Sequence, residues 1–344
     1  MRILFASYQA LSMPGGGVRT QVMRSCQALR ERGVEVALHT PWEPVDWSRI
    51  DLCHVFSSDM RNYYLLSSLP EQVPLVVSPI VDTRYPLALL RLFTAVSRRL
   101  PTQILTSYKS HALAASKADA IVAPAQFDVP IYRAIGARAH QISVIHNGVE
   151  LLFRDATPDL FYEHHGLSDF VLFVGQVGNR RKNLPRLLAV ASEMPDTTFC
   201  LIGPHLENQE TARTLRLAAQ CPNVHVLGRL PFDELVSAYA ACRVMVLPSL
   251  IEGTGLVSLE AALAGAQVVT TRHGGPPDYF GDLAFYVDPQ STRSIRQAIE
   301  QALATPPDGR LRERITTQFT WEVAARKLEA LYERVIAQRE AQRG

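Results

Sequence analysis

Two glutamates, Glu252 and Glu260, lie in one short stretch whose residue types suit a ligand with hydroxyl and phosphate groups. The stretch follows an apolar run at 244–248 that predicts a buried strand, and Gly253 and Gly255 open the turn after it. Leucine and alanine then recur at helical spacing, so Glu260 lies about two helical turns beyond Glu252. Carboxylates accept hydrogen bonds from hydroxyl groups, and the N–H groups at a helix start attract anions. A nucleotide sugar matches this mixture, although an ordinary strand-to-helix turn with two solvated glutamates remains an alternative.

A pair of cations, Arg181 and Lys182, follows the predicted strand at 171–175. An arginine side chain can bind two phosphate oxygens at once, and a lysine acts as a point charge beside them. Ligands of α/β proteins bind at the carboxyl ends of parallel strands, and this position favours a phosphate-binding role. A solubilising surface loop remains the alternative. We expect the Lys182 side chain to be exposed in the binding site.

Three further loops at strand ends carry candidate residues. Gly16 and Gly17 belong to a run of three glycines after the first predicted strand, which predicts either a phosphate-binding loop or a merely flexible one. Asp82 follows the predicted strand at 73–78 and is a candidate polar contact. Gly274 opens a glycine turn after a later strand, where backbone N–H groups could again meet a ligand or simply form a turn.

Composition places the chain among globular proteins. It has 344 residues, 47% of them hydrophobic and 20% charged, and a net charge of +2 that gives no reason to expect nucleic-acid binding. The five cysteines form no paired motif, which argues against a zinc site or a disulfide framework. No apolar run approaches the roughly 20 residues of a membrane span, and the first residues read as a short strand rather than a signal peptide. We expect a cytoplasmic protein.

One segment suggests contact with the inner face of a membrane. Residues 84–117 contain no acidic side chain, and six arginines and lysines alternate there with leucine, isoleucine and phenylalanine. A basic amphipathic surface can rest on anionic lipid headgroups. The alternative is a basic outer face on helices that are packed in the ordinary way.

Strands and helices alternate along the chain in two arrays, which predicts two doubly wound α/β domains that face a cleft. We place an N-terminal domain at 1–165, a C-terminal domain at 166–320 and a final helix at 321–344 that carries an apolar stripe. His54 lies inside the predicted strand at 51–56, and we interpret it as a core residue rather than a ligand-binding one. The predicted strands are 3–7, 34–39, 51–56, 73–78, 120–123, 142–145, 171–175, 198–203, 224–227, 244–247, 267–270 and 283–287.

Six motifs occur in an order that resembles glycosyltransferase family 4, a group of retaining enzymes with the GT-B fold. The resemblance covers nearly the whole chain, and the two glutamates together with the Arg-Lys pair are its most specific parts. The motifs are Gly15-Gly16-Gly17-Val18, the segment 144–149 around Asn147-Gly148, the segment 174–183 with Arg181-Lys182-Asn183, the segment 252–261, Gly274-Gly275-Pro276-Pro277-Asp278, and Trp321 in the last helix.

The resemblance implies a role for each matching position. Lys182 and Arg181 would hold the donor pyrophosphate, Glu260 would bind the ribose hydroxyls, and Glu252 would contact the transferred sugar. The N–H groups from Thr254 through Gly255 and Leu256 to Val257 would bind sugar and phosphate oxygens, and Gly16 and Gly17 would close on the pyrophosphate. The last helix would cross back to the N-terminal domain, and no catalytic metal would be required.

Two positions depart from the pattern of the family. Many members have arginine where this chain has Gln176, so one cation for the pyrophosphate is missing. Many members also have a His-Asp pair where this chain has Val81 and Asp82, which makes Asp82 our candidate for the third catalytic residue beside Glu252 and Lys182.

The resulting hypothesis is a retaining glycosyltransferase for a GDP- or UDP-sugar. GDP-mannose is one candidate donor, and the acceptor would be a glycan or a lipid-linked glycan in the assembly of a surface polysaccharide or lipopolysaccharide. The absent histidine motivates a rival, a nucleotide-sugar-binding protein without transferase activity. A hexose epimerase on the same scaffold is a second rival.

Overall fold

The computed structural model describes residues 1–7, 17–81, 85–101 and 103–343 of the chain, which forms two compact units. Unit 1 contains Met1–Asn147 and Trp321–Gly344, and unit 2 contains Gly148–Thr320. Each unit is built on its own parallel sheet. Among the described residues, no helix combines the length and the apolar character that a membrane span requires.

Unit 1 has a sheet of six described strands in the order β2-β1-β3-β4-β5-β6, with every neighbouring pair parallel. The strands are β1 Arg2–Ala6, β2 Glu35–Leu38, β3 Leu52–Phe56, β4 Leu75–Ser78, β5 Ala120–Ala123 and β6 Ile142–Val144. The helices are α1 Gly17–Glu31, α2 Tyr63–Ser68, α3 Leu87–Arg99, α4 Ser107–Lys117, α5 Asp128–Ala134 and a C-terminal helix, Trp321–Ala341.

Unit 2 repeats this architecture with the strand order β12-β11-β10-β7-β8-β9, again all parallel. The strands are β7 Phe170–Val174, β8 Phe199–Ile202, β9 Val224–Gly228, β10 Cys242–Leu247, β11 Gln267–Thr271 and β12 Phe285–Val287. The helices are α6 Asp159–His165, α7 Leu184–Ser192, α8 Gln209–Ala218, α9 Phe232–Ala241, α10 Leu256–Ala264, α11 Pro276–Phe280, α12 Thr292–Ala304 and α13 Arg310–Gln318.

The central strands are buried along their whole length and mostly apolar because helices cover both faces of each sheet. Every residue of β3 and of β7 is buried. Each predicted strand is present within a few residues of its expected place, and the prediction of two doubly wound α/β units is confirmed.

The boundary between the units differs from the sequence prediction, which placed it after residue 165. Residues 148–165 belong to unit 2, where Phe153 and Phe161 are buried in the core. The backbone N–H of Phe161 also donates a hydrogen bond to the hydroxyl of Ser237 in α9, at 3.0 Å. The predicted boundary was wrong because residues 148–165 have no strong hydrophobic periodicity. The sequence pattern therefore did not show that this segment packs into the core of unit 2.

The C-terminal helix packs on unit 1, as predicted, although it follows unit 2 in the chain. Its apolar stripe is buried, and ion pairs hold its outer edges. Arg32, the residue after α1, pairs with Glu329 at 2.6 Å, and Arg339 pairs with Asp119 at 2.7 Å. The buried residues of the helix are Trp321, Ala324, Ala325, Leu328, Leu331, Tyr332 and Val335.

Two buried histidines of unit 1 are held by hydroxyl groups. Both ring nitrogens of His54 are bonded, Nδ1 to the Tyr332 hydroxyl at 2.6 Å and Nε2 to the Ser78 hydroxyl at 2.8 Å. His111 Nδ1 lies 2.7 Å from the Ser58 hydroxyl. Burial lowers the pKa of His54 to about 3 and that of His111 to about 4. The interpretation of His54 as a core residue is confirmed.

We expect acid to destabilise unit 1 in the range between pH 6.5 and pH 4. In that range the unfolded chain protonates both histidines, whose ordinary pKa is 6.5, while the folded unit keeps them neutral. Unfolding therefore takes up protons, and each histidine lowers the free energy of unfolding by about 1.4 kcal/mol per pH unit. Urea titrations at pH 7, 6 and 5 would measure this, followed by tryptophan fluorescence. All three tryptophans, Trp42, Trp47 and Trp321, lie in unit 1.

The matched control for this prediction is His54→Gln, because an amide can still hydrogen-bond but does not titrate in this range. The pH dependence of its unfolding free energy should be flatter than that of the unchanged chain by about 1.4 kcal/mol per pH unit. An identical slope in both proteins would show that His54 is not held neutral by the fold.

Candidate functional site

The sequence-predicted residues of unit 2 meet at the point where the strand order of its sheet reverses. From β7 the chain proceeds outward through β8 and β9, and it then returns to β10, on the other side of β7, before it continues to β11 and β12. The loops after β7 and β10 therefore diverge, and they leave a crevice at the carboxyl edge of the sheet. Arg181 and Lys182 lie in the first loop, and Glu252 lies in the second.

Lys182 and Glu252 form a buried ion pair across this crevice. Lys182 Nζ lies 2.8 Å from Glu252 Oε2, and the two side chains are 13% and 7% exposed. The hydroxyl of Ser249 donates to the same carboxylate oxygen at 2.9 Å. The expectation that Lys182 is exposed was wrong, because its side chain folds onto a carboxylate that comes 70 residues later in the chain.

The charge of Glu252 is set by opposing effects. Burial alone would raise the pKa of this carboxyl group. The positive charges of Lys182 and Arg181 and the hydrogen bonds from Lys182 and Ser249 outweigh burial and hold the pKa below its usual value. The crevice therefore contains a carboxylate that is ionised at neutral pH and directly paired with an ammonium group.

Asn183 fastens the loop after β7 to the rest of the site. This residue is buried and adopts a left-handed backbone conformation, with φ of 60°, which asparagine tolerates better than most residues. Its side-chain amide donates to the carbonyl groups of Pro248, at 3.0 Å, and Pro289, at 2.7 Å. The N–H of Leu250 donates to the Arg181 carbonyl at 2.9 Å. These bonds fix the backbone on both sides of Lys182.

The glycine loop after β11 holds the backbone of Glu252. The Glu252 N–H donates to the carbonyl of His273 at 2.9 Å, and the Gly275 N–H donates to the carbonyls of Glu252 and Gly253. Gly274 has a φ of +116°, and a Cβ atom there would lie 1.7 Å from the Glu252 carbonyl oxygen. The Gly275 N–H group, which the sequence analysis considered for ligand contact, thus bonds protein carbonyls, and the loop positions Glu252.

Helix α10 begins directly behind the ion pair. Gly255, with φ of 70°, precedes its first residue, and the N–H groups of Ser258 and Leu259 already donate to the Gly255 carbonyl. The N–H groups of Leu256 and Val257 precede this first intrahelical bond, so helix geometry gives them no carbonyl partner within α10. These are the amides to which the sequence analysis assigned sugar and phosphate oxygens. Thr254 is buried beside them and accepts a hydrogen bond from Tyr279 at 3.4 Å.

Glu260 lies further along α10 and is partly exposed. The hydroxyl of Tyr239 in α9 donates to its Oε2 atom at 2.6 Å. Burial, together with the nearby charge of Glu260, raises the pKa of Tyr239 well above its usual value, so the tyrosine remains a donor. A carboxylate that is oriented in this way, and still reached by solvent, is suited to accept hydrogen bonds from a diol.

The remaining predicted residues belong to unit 1. Gly17 is exposed at the start of α1, and Gly16 and Asp82 lie outside the described residues. Val81, which the sequence analysis aligned with a histidine of many family members, is partly buried and packs against the core of unit 1. Their predicted roles stay predictions.

Three supporting residues were not assigned a role in the sequence analysis. Ser249 and Tyr239 orient the two glutamates, and neither forms a recognisable pattern with its partner. Asn183 had been quoted only as part of a motif. Its position directly before a predicted helix is a local signal that could have identified a backbone anchor.

We expect Gly274→Ala to destabilise unit 2, even without a ligand. The added Cβ would collide with the Glu252 carbonyl oxygen, and alanine is also strained at a φ of +116°. The cost should be at least about 2 kcal/mol of unfolding free energy. Urea unfolding of the ligand-free protein, followed by circular dichroism at a helix wavelength, would measure it.

Gly253→Ala is the matched control in the neighbouring loop. Its Cβ would meet no atom within 4 Å, and its φ is not in the left-handed range. Its unfolding free energy should stay within about 0.5 kcal/mol of the unchanged chain. Equal stabilities of the two variants would contradict the tight approach of the loops.

Comparison with known proteins finds a family match for the segment that contains the site. Residues 163–319 match the family described as glycosyl transferases group 1, and this range includes the loops after β7, β10 and β11. The crevice with its ion pair, the start of α10 and Glu260 therefore all lie inside the matched segment.

Curated relatives match over part of their length. The chain is 36% identical over 129 residues to the D-inositol 3-phosphate glycosyltransferase of Corynebacterium diphtheriae, which is 36% of this chain and 30% of the relative. It is 36% identical over 106 residues to the O-antigen chain mannosyltransferase B of Escherichia coli, which is 29% of this chain and 27% of the relative. The matches thus span less than a third of the length of either relative.

The fold matches solved structures over nearly the whole chain. The structure of Anabaena HepE in complex with UDP and glucose has a TM-score of 0.72 and 18% sequence identity, with 97% of this chain and 99% of that chain covered. At this identity the likeness concerns the fold, and it confirms the predicted GT-B class. The match to the glycosyl transferases group 1 family thus covers residues 163–319, and the likeness over the rest of the chain concerns the fold.

Proposed function

We propose that this protein is a retaining glycosyltransferase that moves a sugar from a nucleotide diphosphate donor to an acceptor hydroxyl group. The observation that carries the proposal is the Lys182–Glu252 ion pair beside the start of α10, at the strand-order reversal of unit 2. A cation, a carboxylate and helix N–H groups within one crevice match the phosphates and hydroxyls of such a donor.

Lys182 and Arg181 would stabilise the leaving group. When the bond between the sugar and the phosphate breaks, negative charge builds up on the nucleoside diphosphate, and fixed cations lower the energy of that state. Before the donor binds, the Lys182 ammonium is neutralised by Glu252 at 2.8 Å. The donor pyrophosphate would share this ammonium group, and the N–H groups of Leu256 and Val257 would add their partial charge.

The two glutamates would recognise different hydroxyl groups of the donor. Glu252 is ionised and faces the ammonium that would hold the phosphates, so it would accept hydrogen bonds from the transferred sugar. Glu260 lies about 6 Å along the helix axis from the first residue of α10. That separation suits a ribose bound next to a pyrophosphate, with Tyr239 holding the carboxylate in place.

Retention of configuration would follow from attack on the face from which the leaving group departs. Glu252, the carboxylate closest to the reacting bond in this proposal, is engaged by Lys182 and Ser249 rather than positioned as a nucleophile of the glycosidase type. We assign Asp82 to the third catalytic position, beside Val81, and no catalytic metal to the reaction.

Mannose from GDP-mannose is our preferred donor sugar, and the match to a mannosyltransferase supports it. The fold shared with a protein solved with UDP supports a uridine donor as the second choice. The proposed acceptor is a glycan or a lipid-linked glycan in surface polysaccharide or lipopolysaccharide assembly. A lipid-linked acceptor would be met at the inner face of a membrane.

Thermal unfolding with UDP, GDP, ADP and their common sugars tests the donor site first. A ligand at 100 times its Kd adds about 2.7 kcal/mol of stability, which shifts the midpoint by a few degrees in a protein of this size. Stabilisation by one base identifies the donor class, and release of that nucleoside diphosphate in the presence of an acceptor establishes transfer.

The same experiments separate the rival functions. Nucleotide binding without release of diphosphate from any donor would indicate a non-catalytic binding protein. Conversion of the donor sugar without an acceptor would indicate an epimerase. Absence of stabilisation by every nucleotide, in folded protein, would contradict the donor site itself.

We expect Lys182→Met to lower kcat by about 10²- to 10³-fold, as the loss of one preorganised charge at a developing anion does in other enzymes. The single change also leaves a buried Glu252 charge unpaired, and this should destabilise the fold. The double variant Lys182→Met/Glu252→Gln removes both charges, so it should be more stable than the single variant and still nearly inactive. Steady-state kinetics and urea unfolding would measure the two effects.

Arg180→Met is the matched control, because Arg180 is the neighbouring cation and its side chain is 86% exposed. Its kcat should remain within about twofold of the unchanged enzyme. Equal losses for both variants would show that general positive charge matters, and not the Lys182 position.

A further inference from the structure

Helix α3 of unit 1 shows large apolar side chains on its outer face. Tyr85, just before the helix, is 50% exposed, and Leu89, Leu92 and Val96 are 40%, 54% and 51% exposed. Their spacing of four, three and four residues places them along one side of the helix. They form a continuous line, which we call the α3 stripe.

The buried side of α3 is more polar than this stripe. It contains Thr94 and Ser97, which are buried along with Leu90. The Thr94 hydroxyl donates to the Leu90 carbonyl at 2.8 Å, so its burial needs no partner from elsewhere in the fold. An ordinary amphipathic helix has the reverse arrangement. Packing within unit 1 therefore does not require apolar side chains at Leu89, Leu92 or Val96.

The surroundings of the α3 stripe are basic. Arg91 and Arg99 on the same helix are exposed, Arg98 is turned onto the Ile135 carbonyl, and no acidic residue occurs anywhere from 84 to 117. Lys109, which the sequence analysis counted with the surface cations, is instead buried and donates to the carbonyls of Leu100 and Pro101. The arginines of α3 thus supply the surface charge.

We propose that α3 docks on an anionic lipid bilayer. The helix would lie in the plane of the headgroups, with the α3 stripe in the apolar boundary and the arginines on the lipid phosphates. The exposed apolar side chains match the acyl-chain region of the bilayer, and the arginines beside them match its negatively charged headgroups. Ile104, beyond the helix, is 48% exposed and would extend the apolar contact.

Charge argues against a second copy of this chain as the occupant. A two-fold contact through α3 would place the same face of both copies together. Arg91 and Arg99 of one copy would then meet the same arginines of the other, and no acidic residue of the segment could offset them. The inference does not rest on the proposed transferase activity, because docking involves unit 1 residues and requires no nucleotide.

Co-sedimentation of the full chain with lipid vesicles tests the proposal. Vesicles of phosphatidylcholine with 30% phosphatidylglycerol should retain the protein at least tenfold more strongly than pure phosphatidylcholine at low salt, without nucleotide. The triple variant Leu89→Gln/Leu92→Gln/Val96→Gln should reduce binding to the anionic vesicles at least tenfold. Arg91→Gln/Arg99→Gln should remove most of the preference for anionic lipid and its dependence on salt.

Tyr162→Gln in unit 2 is the matched control, because Tyr162 is a large exposed side chain, 57% exposed, on a different helix. It should bind vesicles like the unchanged chain. The proposal is overturned if the unchanged chain does not bind anionic vesicles. It is also overturned if the folded triple variant binds them as strongly as the unchanged chain does. Self-association that the triple variant abolishes, without vesicle binding, would assign the stripe to a second copy.

Discussion

The ion pair between Lys182 and Glu252 is the interaction on which the organisation of the site depends. Two charges removed from water are stable only when they lie close together and when further hydrogen bonds satisfy them. The structure supplies both conditions, through a distance of 2.8 Å and a hydrogen bond from Ser249. It follows that the loops after β7 and β10 cannot move independently. The hydrogen bond from Asn183 to the Pro248 carbonyl and the close approach of Gly274 to the Glu252 backbone fix the relative position of these loops.

The same ion pair links architecture to the proposed chemistry. Parallel βαβ connections bring the carboxyl ends of β7 and β10 together at the reversal of strand order, and a charged ligand can enter only where the flanking helices separate. The pair occupies that position, with the start of α10 beside it. In the proposed reaction, the charges that hold the loops after β7 and β10 together are also those that bind the donor. A change at Lys182 should therefore affect both stability and turnover.

In unit 1, a buried hydrogen bond joins the C-terminal helix to the sheet. Its C-terminal helix reaches it only after the whole of unit 2, and Tyr332 on that helix completes the hydrogen bonds of His54 in β3. A sheet strand and a helix from opposite ends of the chain are thus joined inside one core. On the outer surface, α3 has the reverse polarity of an ordinary packed helix, and the proposed role at a bilayer would explain why apolar side chains face outward there.

The sequence by itself determined the strands, the two arrays and the residues at the strand ends. These follow from local patterns, since a strand covered on both faces is mostly apolar and parallel strands place their following loops at one edge. Tertiary structure alone decided the unit boundary, the burial of Lys182 and the outward direction of the α3 stripe. Periodicity shows that a helix has two faces, but only the neighbouring elements determine which face is covered. The partners of Lys182, Glu260 and His54 lie far away in the chain, and local spacing holds no information about such pairs.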